Sequence, residues 1–246
     1  AEFRNITANS PDVPGKKLVD DVSFHVRKGE VLGIAGLMGA GRTELLMTIF
    51  GAWRGNWTGA IEIGGKPVRL SSPADAIRNG LGFVTEDRKR FGLVLEHTII
   101  DNMTLAALKR ISGAFVTNRT RETAAASAPM SSLRVKAGSL TTVAGTLSGG
   151  NQQKVVLGKW LLTEPTVLFL DEPTRGIDVG AKQEIYAEIN KLAQQGLAIV
   201  LVSSELPEVL GLSDRVIVLH EGKAAGEFTR EEATPEKLMA AATGHK

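Results

Sequence analysis

Short apolar runs and amphipathic stretches alternate along this chain, separated by glycine-containing turns. The segment LVDDVSFHV alternates enough to predict a strand, and Lys28-Gly29-Glu30 turns the chain into the apolar run VLGIAG, of buried-strand character. TELLMTIFG reads as a helix with Gly51 where a C′ glycine would stand, and GAIEIGGKPVRL as a hairpin turning at Gly64-Gly65. Asp75 to Asn79 predict a short helix ending at Gly80, and LGFVTEDRKR runs from a strand into a charged loop. From about Thr98 to Leu147 the pattern is mostly helical, with Pro129 expected to end or kink the helix of RETAAASA.

Beyond LSGGNQQK, the segment KVVLGKWLL reads as a helix and TVLFLDE as a fully buried strand ending in acids. AKQEIYAEINKLAQQG is an amphipathic helix with Ile185, Ile189 and Leu192 on one face and Gly196 at its end. LAIVLVSSE is another buried strand, DRVIVLHEGKAAGEF a hairpin around Glu221-Gly222, and Thr234-Pro235-Glu236 a helix start. Buried strands alternating with amphipathic helices predict a mainly parallel sheet covered on both faces. The expectation is one α/β domain with a helical insertion and antiparallel strands near the N-terminus. No weight is placed on Ala1-Glu2-Phe3.

Composition narrows the function classes. At 246 residues, with 43% hydrophobic and 23% charged positions, the chain can bury a large core. A formal charge of +2 gives no argument for nucleic acid. Without cysteine, disulfides and thiolate chemistry are excluded. His25, His97, His220 and His245 are scattered without metal-ligand spacing, and no apolar run approaches the roughly 18–20 residues of a membrane span.

Three stretches carry chemistry. Gly36-Leu37-Met38-Gly39-Ala40-Gly41-Arg42-Thr43 has the spacing of a phosphate-cradling loop between a strand and a helix, with arginine in the place of the usual lysine. TVLFLDEPT puts Asp171 and Glu172 at the carboxyl end of a buried strand, where α/β sheets place ligands. An aspartate there can hold Mg²⁺ alongside the Thr43 hydroxyl, and a following glutamate can polarise an attacking water. LSGGNQQK opens a helix with Ser148, Gly149, Gly150 and Asn151, a second backbone nest for an anion.

In this order and spacing, the chain resembles a nucleotide-binding domain of the ATP-binding cassette (ABC) transporters. Walker A falls at 36–43, the signature at 147–151, Walker B at 167–172 and the D-loop at Gly176-Ile177-Asp178. More narrowly, GLMGAGRTE, EDRKR, LSGGNQQK, LDEPTRGID and SSELPEVLGLSDRV resemble the C-terminal cassette of tandem sugar-importer ATPases of the xylose and ribose type. The resemblance implies a P-loop ABC ATPase core at 1–96 and 156–246, with a helical subdomain at about 97–155. It implies ATP and Mg²⁺ as cofactors. It also implies a head-to-tail sandwich with the N-terminal cassette of the same polypeptide, in which Ser148 to Asn151 and Asp178 meet the partner's nucleotide. Membrane permease subunits would dock near Phe91 to Asn102, and a periplasmic sugar-binding protein would act indirectly. The place of action would be the cytoplasmic face of a bacterial inner membrane.

Four departures fall on functional positions of that family: Arg42 for the Walker A lysine, Glu86 for the Q-loop glutamine, Ser204 for the switch histidine, and no aromatic around Pro11 to Gly15 to stack on adenine. Glu172, Ser204 and Glu86 are therefore the candidate catalytic groups, and Thr43, Asp171 and Glu86 the candidate metal ligands. Together the departures predict a slow or degenerate site that still binds Mg-ATP, with the signature completing the partner's faster site. A purely regulatory clamp is the alternative. A soluble ABC protein of DNA repair or translation fits the sugar-importer signatures less well.

Overall fold

The structure, a computed structural model, describes residues 1–112 and 117–245. The chain begins with β1 (Glu2–Asn9), β2 (Lys17–His25) and β3 (Val31–Gly36), followed by α1 (Arg42–Ile49). Next come β4 (Trp57–Ile63), β5 (Lys66–Val68), α2 (Pro73–Arg78) and β6 (Leu81–Val84). A π-helical turn at Arg88–Gly92 leads into the helices α3 (Ile99–Thr104), α4 (Leu108–Ser112) and α5 (Arg119–Ser132). The remainder is α6 (Gly149–Leu161), β7 (Val167–Asp171), α7 (Val179–Gln194), β8 (Ala198–Val202), α8 (Leu206–Leu212), β9 (Arg215–His220), β10 (Lys223–Thr229) and α9 (Pro235–Ala242).

Two sheets organise these elements. A six-stranded sheet has the order β10-β9-β3-β8-β7-β6, parallel throughout except at β10. A four-stranded antiparallel sheet has the order β2-β1-β4-β5. Alternation along β3 and β9 shows how the large sheet is covered. Ile34, Ile217 and Leu219 belong to the main core with β1, β2 and α1, while Ala35, Val216 and Val218 belong to a second cluster with Val209 and Leu238 of α8 and α9. Every residue of β7 and β8 is buried, which is why their sequences read as unbroken apolar runs.

The helical arm departs from the sequence expectation in three ways. Helix α5 continues past Pro129 to Ser132, and Leu133 N–H closes the last turn on the Pro129 carbonyl. The proline lies close to Gly158 of α6, where a Cβ would stand 3.4 Å from its own Cβ, so packing outweighs the one lost backbone bond. The stretch from Leu133 to Val143 is not helical, because hydroxyls satisfy its backbone: Thr142 Oγ1 accepts from Ser139 N–H, and Ser139 Oγ from Thr141 N–H. Residues 113–116 of the expected helical stretch lie outside those described. Finally, the expected subdomain boundary at 155/156 falls inside α6, which packs against α3 and α5 on the arm and against β6 of the core.

The N-terminus brings the largest surprise. Glu2–Asn9 is a central strand of the antiparallel sheet, and Phe3 is fully buried.

Candidate functional site

The loop from Gly36 to Gly41 leaves the carboxyl end of β3 and opens α1. Gly41 is the helix's N-cap at φ 93°, and a Cβ there would stand 2.4 Å from the Leu18 carbonyl oxygen, so glycine alone fits. It offers no side-chain cap, which leaves the first-turn amides of α1 available to an anion. Ala40 and Gly41 are buried, whereas Leu37 is exposed and Met38 projects almost wholly into solvent at 98% exposure.

Two carboxylates stand at the carboxyl end of β7, which β8 separates from β3 in the sheet. Asp171 is fully buried, and neither of its carboxylate oxygens has a hydrogen-bond partner among the described residues. Burial pushes its pKa up to about 6, with the Thr43 hydroxyl and the Arg42 guanidinium partly opposing. A buried, unpartnered carboxylate beside a hydroxyl fits a divalent cation. Among the described residues no group of three or more acidic or histidine side chains forms a full cage. The remaining ligands would then be phosphate oxygens and water, the habit of Mg²⁺. Glu172 follows at φ 48°, a left-handed conformation that costs a non-glycine residue of order 1–3 kcal/mol. Its amide donates to the Val202 carbonyl at 2.8 Å, which pins it to β8.

Arg42 lies between the loop and these acids. Its Nη1 donates to the Ser203 carbonyl at 2.8 Å, and Nη2 stands 3.7 Å from Glu172 Oε1. Ser204 Oγ donates to Glu172 Oε2 at 3.1 Å. Ser203 Oγ in turn bonds the buried Glu208, which also accepts from Thr174 Oγ1 at 3.0 Å. Sequence reasoning missed Ser203 and Glu208. The carboxylate within the apolar pattern LPEVLGL was the available signal.

Glu86 does not face the cation position freely, because its carboxylate is paired with Arg175. It still lines a cavity of about 380 Å³ with Thr43, Asp171, Phe83, Phe91 and Trp160. Lys159 closes that cavity. It is buried, its Nζ donates to the Gly92 carbonyl at 2.6 Å, and burial lowers its pKa to about 8. Of the stretch Phe91 to Asn102, where a docking groove is expected, only Phe91 lines this cavity, and sequence reasoning missed Lys159.

Ser148, Gly150, Asn151 and Asp178 line a different cavity, of about 260 Å³. Ser148 makes no side-chain bond to the backbone amides of the helix it opens, which leaves the first-turn amides of α6 to an anion. Its hydroxyl accepts instead from Asn151 Nδ2 at 2.9 Å. Gly149 lies against the Gly176 carbonyl, and Asp178 N-caps α7 through Ala181 N–H at 2.9 Å. The structure thus gathers the predicted residues into two separate groups, 36–43 with 171–172 and 204, and 148–151 with 176–178.

Comparison with known proteins places the chain in a family. Residues 19–175 match the family model described as ABC transporter. The chain is 57% identical over 245 residues to the xylose import ATP-binding protein XylG of Moorella thermoacetica, covering 100% of this chain and 48% of that protein. It is 53% identical over 230 residues to the ribose import ATP-binding protein RbsA of Caldanaerobacter subterraneus, covering 93% of this chain and 46% of that protein. The chain therefore spans about half the length of these relatives. Among solved structures it is similar to a nucleotide-free ATP-binding cassette from an ABC transporter, with a TM-score of 0.82 at 22% identity, covering 97% of this chain and 94% of that one. A cassette in its ADP conformation gives a TM-score of 0.80 at 23% identity, covering 99% and 98%.

Proposed function

Because this chain belongs to the ABC transporter family, we propose that it is the second cassette of a tandem ATPase that powers import of a monosaccharide, a pentose such as xylose or ribose. It binds ATP on the loop 36–43 and turns it over slowly. Its signature, Ser148 to Asn151, completes the faster site of the N-terminal cassette on the same polypeptide. The names of the relatives and the share of their length that the chain spans support this reading.

The observation that carries the slow site is the position of Arg42. Its guanidinium bonds the Ser203 carbonyl and faces Glu172. The cation that should meet the phosphates instead neutralises the carboxylate that should polarise water. Loop amides still cradle phosphates, and Asp171 with Thr43 would hold Mg²⁺, which offsets phosphate charge when bound. Ser204 is already engaged on Glu172, so the γ-phosphate is left without a ready donor from the switch position. The same contact favours a second reading, a regulatory clamp without turnover.

The partners follow from this role: permease subunits in the groove at Phe91, a periplasmic sugar-binding protein beyond them, and no nucleic acid. The cytoplasmic face of the bacterial inner membrane is the expected location, and among the described residues no helix is long and apolar enough to cross a membrane. The test is ATP hydrolysis by this chain as the N-terminal cassette is titrated in, with a parallel series carrying Ser148→Arg. Low turnover alone that rises with the partner and is lost in Ser148→Arg supports the reading. Brisk turnover alone, unaffected by the partner, overturns it.

A further inference from the structure

The π-helical turn Arg88–Gly92 is held at both ends. Asp87 Oδ1 accepts from the amides of Lys89 and Arg90 at 3.1 and 3.0 Å, and Leu93 N–H closes on the Arg88 carbonyl at 2.8 Å. At the far end the buried Lys159 ammonium donates to the Gly92 carbonyl. The turn also carries Phe91, 61% exposed at the groove.

From this anchored turn the Arg88 side chain reaches two distant segments. Nη1 donates to the Arg175 carbonyl at 2.8 Å and Nη2 to the Gly176 carbonyl at 3.3 Å, while Nε lies 3.4 Å from Gln152 Oε1 on α6. Gly149 is pressed against it, since a Cβ there would stand 2.7 Å from Arg88 Nη2. A planar fork suits such divergent acceptors, and an ammonium does not. The ion pair of Glu86 with Arg175 makes a second link between the segment that carries Arg88 and the one at 175–176.

We propose that Arg88 is a positioning residue that holds the Gly176–Asp178 turn and the Ser148–Asn151 nest as one surface, fixed relative to the groove. This rests on the reading that this surface completes the partner cassette's site. Arg88 acts through the two segments it joins. A displacement of about 1 Å in groups that orient a reacting phosphate is enough for a hundredfold loss of rate.

The test uses Arg88→Ala and Arg88→Lys in this chain, with two readouts. The first is turnover in the presence of the N-terminal cassette. Arg88→Ala is expected to lower kcat about tenfold to a hundredfold with KM for ATP within about twofold, Arg88→Lys to lie between it and wild type, and guanidinium at millimolar concentration to restore part of the loss in Arg88→Ala alone. The second is amide hydrogen exchange in the chain by itself. Exchange should quicken at 174–180 and 148–152 in Arg88→Ala and stay unchanged at 36–43. Unchanged exchange, or a raised KM at constant kcat, overturns the proposal. If Arg88→Ala does not fold, Arg88→Lys is read by the same two criteria. Quickened exchange in a chain whose wild type never stimulates the partner retains Arg88 as the link and rejects the shared-site reading instead.

Discussion

Arg42 and Glu172 face each other across the phosphate loop, Nη2 3.7 Å from Oε1, and both are also held by the strand end that carries Ser203 and Ser204. Only about a tenth of either side chain is exposed, at 11% and 10%, so the attraction is weakly screened by solvent. Arg42→Lys removes the fork that spans Ser203 and Glu172 and returns a compact cation to the phosphates. Turnover at this chain's own site should rise by about tenfold, less than the 10²–10³ that one electrostatic donor is worth. Phosphate release measured on the chain alone checks this. A lysine variant no faster than wild type would show that the ion pair is not what slows the site.

Asp171 sets a pH dependence whose sign can be worked out. Its carboxyl is raised from 3.8 to about 6 in the folded chain, so the folded state binds this proton more tightly than the unfolded state. Its contribution to stability is therefore fully present below the unfolded value and is lost as pH rises from about 4 to about 6, at 1.36 kcal/mol per decade on the order of 3 kcal/mol in total. Asp171→Asn should stabilise the nucleotide-free chain above pH about 6 and do little below about 4. It should also abolish any tightening of nucleotide binding by Mg²⁺. Urea unfolding at acid and neutral pH, with nucleotide titrations with and without Mg²⁺, separates the two effects. Equal stabilisation at both pH values would contradict the assignment.

Glu208 joins the strand end of the site to the segment after the acids, since Ser203 and Thr174 both donate to its buried carboxylate. Burial raises its pKa, with the Ser203 and Thr174 hydroxyls opposing. Glu208→Ala strands two hydroxyls, at roughly 1–3 kcal/mol for each buried unsatisfied group. It also loosens the Ser203 carbonyl that holds Arg42. Glu208→Gln keeps one acceptor and should cost about half as much or less. The expected signature is a lower urea midpoint in Glu208→Ala with an unchanged slope.

What could be read from the sequence was what chain-local chemistry encodes. A strand buried on both faces has to be a continuous apolar run, and Val167–Asp171 and Ala198–Val202 are such runs. Hairpins announced themselves through Gly64-Gly65 and Glu221-Gly222, each pair at positive φ. The phosphate loop, the paired acids and the signature turn were equally legible, because each is one short stretch. Long-range pairings were not: Arg42 meets Ser203 and Arg88 meets Arg175 only through the fold. Strand β1 was hidden for a different reason. Asn5 takes φ 51° and the pairing with β2 shifts register along its length, so the alternation that marks a half-buried strand is broken in EFRNITAN.

That hidden strand carries a strong stability prediction. Phe3 packs its ring 4.6 Å from that of Phe24 on β2 and 6.1 Å from that of Phe169 on β7, which joins the antiparallel sheet to the parallel one. It is fully buried, and β1 is flanked by β2 and β4. Phe3→Ala should destabilise the chain by about 3–5 kcal/mol, the usual cost of deleting a buried aromatic side chain. Phe3→Leu keeps most of the apolar volume and should cost about half as much or less. Deletion of the first nine residues should be worse than either, because it removes the strand that β2 and β4 share. Urea unfolding of the two point variants, together with the yield of folded protein from the truncation, tests this. Wild-type stability in Phe3→Ala would mean that the N-terminal strand is not part of the core.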